Sequence, residues 1–451
     1  MRQIVFPLLF SLLLLVSATD KYPDQTKTYV HLIPHTHDDM GWLKSIEEYY
    51  YGVPIRGDHN EIGIQYIIQS ILGELTIDPE KRFSWVEVGY FYRYWIKQES
   101  SMRDVAHKLI KDGKLEFLHG GWSMHDEAVT YYEDIIDNMA LGQKFLNDNF
   151  GIIPKIGWQI DPFGHSSANA ALFSKMGLDA FWFSRIDHNE KEERKAAQNL
   201  EFIWQPRTSQ GDENQILAVV TADHYDFPKE FCFDLNCWTP APPVIDDPHS
   251  EGFNVELIAE RFVNYIETEM RPYFKHNHVV IMMGGDFAYG VASMPFSNYA
   301  KIKKYINSRP EYNMEIMYSS AADYLEAINS KELNYTINQA DFFPYADKPR
   351  TYWTGYYTSR SALKHLVRKA GKDLQNVRRL FTYSLWKGEN FAKSELNSIW
   401  EALDLMERTQ AELQHHDGVT GTSKKAVAED YAYILSTARE NLHQVFYIIE
   451  G

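Results

Sequence analysis

The chain has 451 residues, 44% hydrophobic and 14% aromatic, enough for two or three domains and for a core that needs no disulfide scaffold. With 25 Phe, 29 Tyr and 11 Trp, wholesale disorder is ruled out. The formal charge is 45 − 62 = −17 and there is no Lys/Arg-rich run. That balance argues against nucleic acid or an anionic membrane surface as partner and leaves neutral partners such as sugars.

In chain order, Arg2, the mostly apolar run Ile4 to Val16 and the small residues up to Ala18 predict a signal peptide over residues 1–18. The run is shorter than the roughly 20 apolar residues of a transmembrane helix, so no membrane contact is expected after cleavage. A secretory route follows, ending in the lysosome or outside the cell.

From Thr28 to about Ala327 short apolar runs alternate with amphipathic stretches. Val30–Pro34 reads as a strand. Ile64, Ile67, Ile68, Ile71, Leu72 and Leu75 share one helical face, opened by Asn60. Ser84–Val88, Leu115–Leu118, Lys155–Ile160, Ala180–Phe183, Leu217–Thr221 and Val279–Met283 read as further strands. This alternation predicts an α/β domain over residues 28–345 with a mostly parallel sheet, open or closed into a barrel. Cys232 and Cys237 are the only cysteines, and in an oxidising compartment they close a small local disulfide loop. Too few for a Cys-based metal site, they are followed by a proline-rich surface loop, Thr239–Ser250. Asn334-Tyr335-Thr336 is a glycosylation sequon at Asn334. Phe342 to Pro349 reads as a linker. Beyond it, helical patterns over Leu363–Trp386, Ala392–Gln414 and Ser423–Ile449 predict a three-helix bundle over residues 350–450.

Three clusters follow predicted strands: His35-Thr36-His37-Asp38-Asp39, Asp161-Pro162-Phe163-Gly164-His165 and Gly284-Gly285-Asp286-Phe287. An acidic residue at a strand end is often a helix N-cap. Three such clusters at the carboxyl ends of well-separated parallel strands point instead to a common site, because the following loops converge there. A fourth cluster, His415-His416-Asp417-Gly418, ends the second bundle helix, where a His also suits the helix dipole. His37 and Asp39 flank one residue, so on extended backbone both side chains point the same way. An imidazole and a carboxylate joined by further His or Asp ligands suit Zn²⁺. His35 and His415 then read as neighbours that support ligands or fill the core.

These residues carry a resemblance. The segments Val30 to Trp42, Gly157 to Ser166 and Gln414 to Thr422 resemble three signature segments of the glycoside hydrolase family 38 α-mannosidases, with Asp38 beside Asp39 similar to the lysosomal branch. The resemblance runs from about Thr28 to about Thr422. It implies one Zn²⁺ held by His37, Asp39, Asp161 and His416, with Asp161 as nucleophile and Asp286 as general acid/base. It also implies sugar contacts at Trp42, Phe163, Arg185, Tyr225 and Asp417. The expected activity is a retaining hydrolysis of terminal α-D-mannose from N-glycan-derived oligosaccharides through a covalent mannosyl-enzyme. Chains of this family usually continue into β-rich domains, so this one reads as a truncated product, one fragment of a processed enzyme or a natural short form, expected to self-associate or to meet a complementing C-terminal chain. Two other readings stand beside the leading one: an impaired, mannose-binding protein, and a metal-dependent deacetylase.

Overall fold

The computed structural model describes residues 21–55, 62–206, 214–331 and 333–450. The expected signal peptide, residues 1–18, and Asn60 lie outside the described residues. Among the described residues there are ten strands: β1 (Thr28–Pro34), β2 (Phe83–Trp85), β3 (Leu115–Phe117), β4 (Ile156–Gln159), β5 (Ala180–Phe183), β6 (Glu201–Trp204), β7 (Ile216–Val220), β8 (His278–Met283), β9 (Met314–Tyr318) and β10 (Ile337–Asn338).

They form segments ordered β8-β1-β9, β2-β3 and β10-β6-β7-β5-β4. All pairings are parallel except β6 with β7. Bridges at the strand ends link the segments. His35 pairs with Ser84 of β2, and the His119 N–H donates to the Ile156 carbonyl of β4. Past β7 and β8, the Phe227 N–H donates to the Gly284 carbonyl, so the contacts run round a curved, barrel-like sheet. β1 is buried at all seven positions, in keeping with its mostly apolar sequence. Helix Ile64–Ile77 buries all six of its spaced Ile and Leu residues.

Four expectations need correction. β2 stops at Trp85, because Val88 opens the helix Val88–Trp95. β6, β9 and β10 were not among the expected strands. Phe342 to Pro349 is no free linker: Phe342 is buried among Phe183, Phe202 and Trp204 and exchanges backbone hydrogen bonds with His165. The Thr239–Ser250 loop is not wholly on the surface either, since Val244 is buried.

Helices Ser361–Lys387, Lys393–Leu413 and Lys425–Glu450 form the expected three-helix unit. Helix Lys393–Leu413 also packs on helix Tyr132–Phe150, which ties the unit to the sheet domain. Arg378 marks that junction, 2.6 Å from Asp137 and 2.8 Å from Glu407. Gly371 allows close packing there, because a Cβ would meet the Asp134 and Gln410 side chains and force them to shift. Among the described residues, no helix is long and apolar enough to cross a membrane.

Candidate active site

The site begins where β1 ends. The chain leaves Pro34 still extended. The His37 N–H donates to the Gly285 carbonyl (3.1 Å), and the Phe287 N–H donates to the His37 carbonyl (2.8 Å). These bonds lock the segment after β1 to the segment after β8. The alternation of extended backbone turns His37 and Asp39 to one side, with Nε2 2.9 Å from Oδ1. Asp161 enters from the end of β4, its Oδ2 3.3 Å from His37 Nε2. His416 comes from the turn after helix Lys393–Leu413, and its Nδ1–H donates to the Met124 carbonyl at 2.8 Å. A carbonyl can only accept, so this bond fixes the tautomer and leaves Nε2 free to face the cluster. Nε2 then lies 3.0 Å from Asp161 Oδ2 and 3.2 Å from Asp39 Oδ1.

These four buried side chains fit a metal ion. Their donor atoms lie within 4.8 Å of one another. A tetrahedral ion with bonds of about 2.0–2.1 Å separates its ligand atoms by roughly 3.3 Å. The N···O separations of 2.9 to 3.3 Å are close to that spacing. Two imidazoles with two carboxylates are also a donor set that zinc takes. His415 and Asp417 form a second set with the shared Asp39 and His416. His415 Nε2 lies 3.4 Å from Asp39, and burial pushes this imidazole down to about 4, so it stays neutral. His35 donates from Nε2 to the Tyr225 carbonyl (2.9 Å) and holds that loop rather than the cluster.

Two carboxyl groups in this site are driven apart electrostatically. Burial works to raise Asp161, but Arg185 and the two imidazoles overcome it and hold the carboxyl well below the usual carboxylate range. Arg185 donates from Nε to Asp161 Oδ1 at 2.6 Å and from Nη1 to the Tyr345 hydroxyl at 3.2 Å. At Asp286 burial and the neighbouring carboxylates outweigh the lowering effect of the His37 imidazole. Burial pushes this carboxyl up to about 7, and the Tyr225 hydroxyl donates to its Oδ1 at 2.9 Å. A neighbouring pair with one member ionised and the other protonated near neutrality is the division of labour that acid-base chemistry needs.

The remaining expected contacts fall around this centre. Phe163 is buried in an aromatic group with Tyr345 and Tyr356, its ring 5.8 Å from that of His416. The Arg185 guanidinium stands over the rings of Phe163 and Tyr225 at 5.9 and 5.8 Å. Asp417 is buried, pushed up to about 7 by burial, and accepts from the Thr422 hydroxyl. Trp42 is half-buried, and its carbonyl accepts from the Lys424 N–H (2.9 Å). Cys232 and Cys237 form the expected disulfide. Asn334 is exposed.

Three residues at the site were not legible as candidates. Glu87 is fully buried with its carboxylate 3.7 Å from His37 Nδ1, and its one signal was a lone acid in the apolar stretch Trp85–Val88. Tyr345 sat in the expected linker. Asn236 gave no signal at all, and only the folded loop brings it to Asp286.

A mostly parallel sheet with a metal-ready cluster and two carboxyls of opposite protonation at its strand ends has the layout of a hydrolytic enzyme. Residues 27–348 match the glycosyl hydrolases family 38 N-terminal domain and residues 351–447 match the alpha mannosidase middle domain, so the chain belongs to glycosyl hydrolase family 38. It is 38% identical over 442 residues to a Homo sapiens protein named lysosomal alpha-mannosidase, covering 94% of this chain and 42% of that one. It is 39% identical to its Dictyostelium discoideum namesake, covering 90% of this chain and 39% of the relative. The chain thus spans about two fifths of the length of the curated relatives it matches. An alpha-mannosidase structure from Enterococcus faecalis V583 superposes with a TM-score of 0.64 at 17% identity, over 93% of this chain and 42% of that one, a likeness of fold.

Proposed function

We propose that the chain is a zinc-dependent retaining α-mannosidase that removes terminal α-D-mannose from N-glycan-derived oligosaccharides in the lysosome or outside the cell. What supports this reading is that Asp161, held low by Arg185 and the imidazoles, and Asp286, pushed up to about 7 by burial, share one buried site beside four side chains that fit a metal. Ionised Asp161 attacks the anomeric carbon, and protonated Asp286 gives its proton to the departing oxygen. Asp286, now a carboxylate, then takes a proton from the water that releases the sugar. Arg185 keeps Asp161 ionised and aimed until substrate arrives. Trp42, Phe163, Tyr225 and Asp417 are the proposed sugar contacts, the aromatics supplying apolar faces and Asp417 a hydroxyl partner.

His37, Asp39, Asp161 and His416 would hold the ion. When bound, it would supply a Lewis-acid contact for sugar hydroxyls and further favour the ionised form of Asp161. In this reading residues 28–345 carry the chemistry and residues 350–450 contribute His416 and Asp417. The names of the relatives support mannosides as substrate and the lysosome as location. A protein that merely bound mannose would need no protonated Asp286. The test is turnover of p-nitrophenyl α-mannoside by the purified chain, with and without added zinc. Zinc-dependent release of nitrophenol supports the reading, and zinc binding without turnover would overturn it and leave the mannose-binding and deacetylase alternatives.

A further inference from the structure

We propose that Asn236, on the loop closed by the Cys232–Cys237 disulfide, is a positioning residue for Asp286. The inference rests on the acid/base role given to Asp286 above. Asp286 sits on neither a strand nor a helix. It lies in the turn between β8 and helix Ser293–Asn307, and the turn's backbone is unusual. Phe287 has a φ of 50° and Tyr289 a φ of 69°, a left-handed region that side-chain-bearing residues rarely adopt. Such a conformation persists only where its surroundings hold it.

The turn is held from two sides. On the β1 side are the backbone bonds to His37 already described, with the Phe287 ring stacked on Tyr49 at 4.3 Å. On the other side stands the disulfide loop. The Asn236 side-chain amide donates to the Phe287 carbonyl at 2.8 Å and to the Asp286 carbonyl at 3.4 Å. One carboxylate then joins loop and turn: Asp234 accepts from the Asn236 N–H on Oδ1 (3.0 Å) and from the Tyr289 N–H on Oδ2 (2.9 Å). The cysteines are only five positions apart, so the covalent bond keeps Asp234 and Asn236 in a tight loop facing the turn. The grip falls on the carbonyls of Asp286 and the residue after it, the part of the backbone that sets where the acid's side chain points. The opposite end of that side chain meets the Tyr225 hydroxyl, so backbone and carboxyl are fixed by different loops.

The test uses the whole chain with Asn236→Ala and, separately, Asp286→Ala. The assay is kcat/KM for mannobiose, whose leaving group needs a proton, and for 2,4-dinitrophenyl α-mannoside, whose leaving group does not. A misplacement of about 1 Å can cost roughly 10²-fold, so Asn236→Ala is expected to lower the mannobiose value by about 10- to 100-fold. The activated substrate should change by less than about threefold, since it bypasses the acid. Hydrogen exchange on the same sample gives a readout that does not need turnover: amides of residues 284–289 should exchange about tenfold faster, with β1 unchanged. Equal losses on both substrates, or unaltered exchange in the turn, would overturn the proposal. Asp286→Ala separates the two ideas. If it fails to discriminate the substrates, and azide fails to restore release from it, the acid/base reading is wrong. If it discriminates and Asn236→Ala does not, only the positioning role is wrong.

Discussion

Tyr225→Phe isolates one atom, the hydroxyl that donates to Asp286 Oδ1 at 2.9 Å. A donor favours the charged form of a carboxyl, so removing it must raise the pKa of Asp286, which burial already holds at about 7. A hydrogen bond to a charged group contributes about 1.5–3 kcal/mol, and one pKa unit corresponds to about 1.4 kcal/mol. Because the protonated form also accepts from Tyr225, only part of that energy separates the two states, and a rise of about one unit follows. The general acid works while protonated, so kcat/KM for mannobiose should fall with rising pH through the pKa of Asp286. In the variant this alkaline limb should lie about one unit higher than in the parent chain. The height of the profile will also change, since Tyr225 is a proposed sugar contact. Only the position of the limb bears on the argument. A limb that stays in place, or moves to lower pH, would refute the reasoning that links Tyr225 to the protonation of Asp286.

Removing the metal should lower the melting temperature by several degrees, because an ion at about 1,000 times its Kd stabilises the folded state by roughly 4 kcal/mol. Chelator titration followed by calorimetry checks this, and a curve unchanged by chelator would count against His37, Asp39, Asp161 and His416 as a ligand set. Asp126 is a buried carboxyl outside that set, pushed up to about 6 by burial from 3.8, with Oδ2 accepting from the Ala128 and Val129 N–H groups. With the folded-state value raised, its contribution is fully present below pH 3.8 and is lost as pH rises through about 6. Asp126→Asn removes this dependence, so relative to the parent the variant should gain about 2 kcal/mol between pH 4 and pH 7 in urea unfolding. A difference that stays flat across that window would contradict the assignment.

The local part of this architecture is written in the sequence, and the non-local part is not. β1, β4, β5, β7 and β8 are short apolar runs buried on both faces, so composition alone marks them. β9 alternates buried and half-buried positions over only five residues and follows a long helix, and β6 pairs antiparallel within an otherwise parallel sheet. Neither departure has a local signature. Phe342 shows the same limit: prolines and an Asp-Lys pair suggest a linker, yet its ring finds an aromatic pocket built by β5 and β6. At the site, the clusters that hold His37, Asp39, Asp161 and His416 stand out in the sequence at strand or helix ends, but it is the resemblance to family 38 that implies the four as one ligand set. The Arg185–Asp161 and Asn236–Asp286 relationships depend on how distant loops meet, which no spacing rule encodes.

The most direct test of the central claim is to trap the glycosyl-enzyme. The purified zinc-loaded chain is incubated with a fluorinated mannosyl fluoride, whose good leaving group allows attack while the ring fluorine slows release, and the product is digested for peptide mass spectrometry. A single mannosyl adduct on the peptide containing Asp161, absent from Asp161→Ala, is the expected result. Zinc-dependent hydrolysis with no adduct, or an adduct on any other residue, would contradict the role of Asp161 and the retaining mechanism with it.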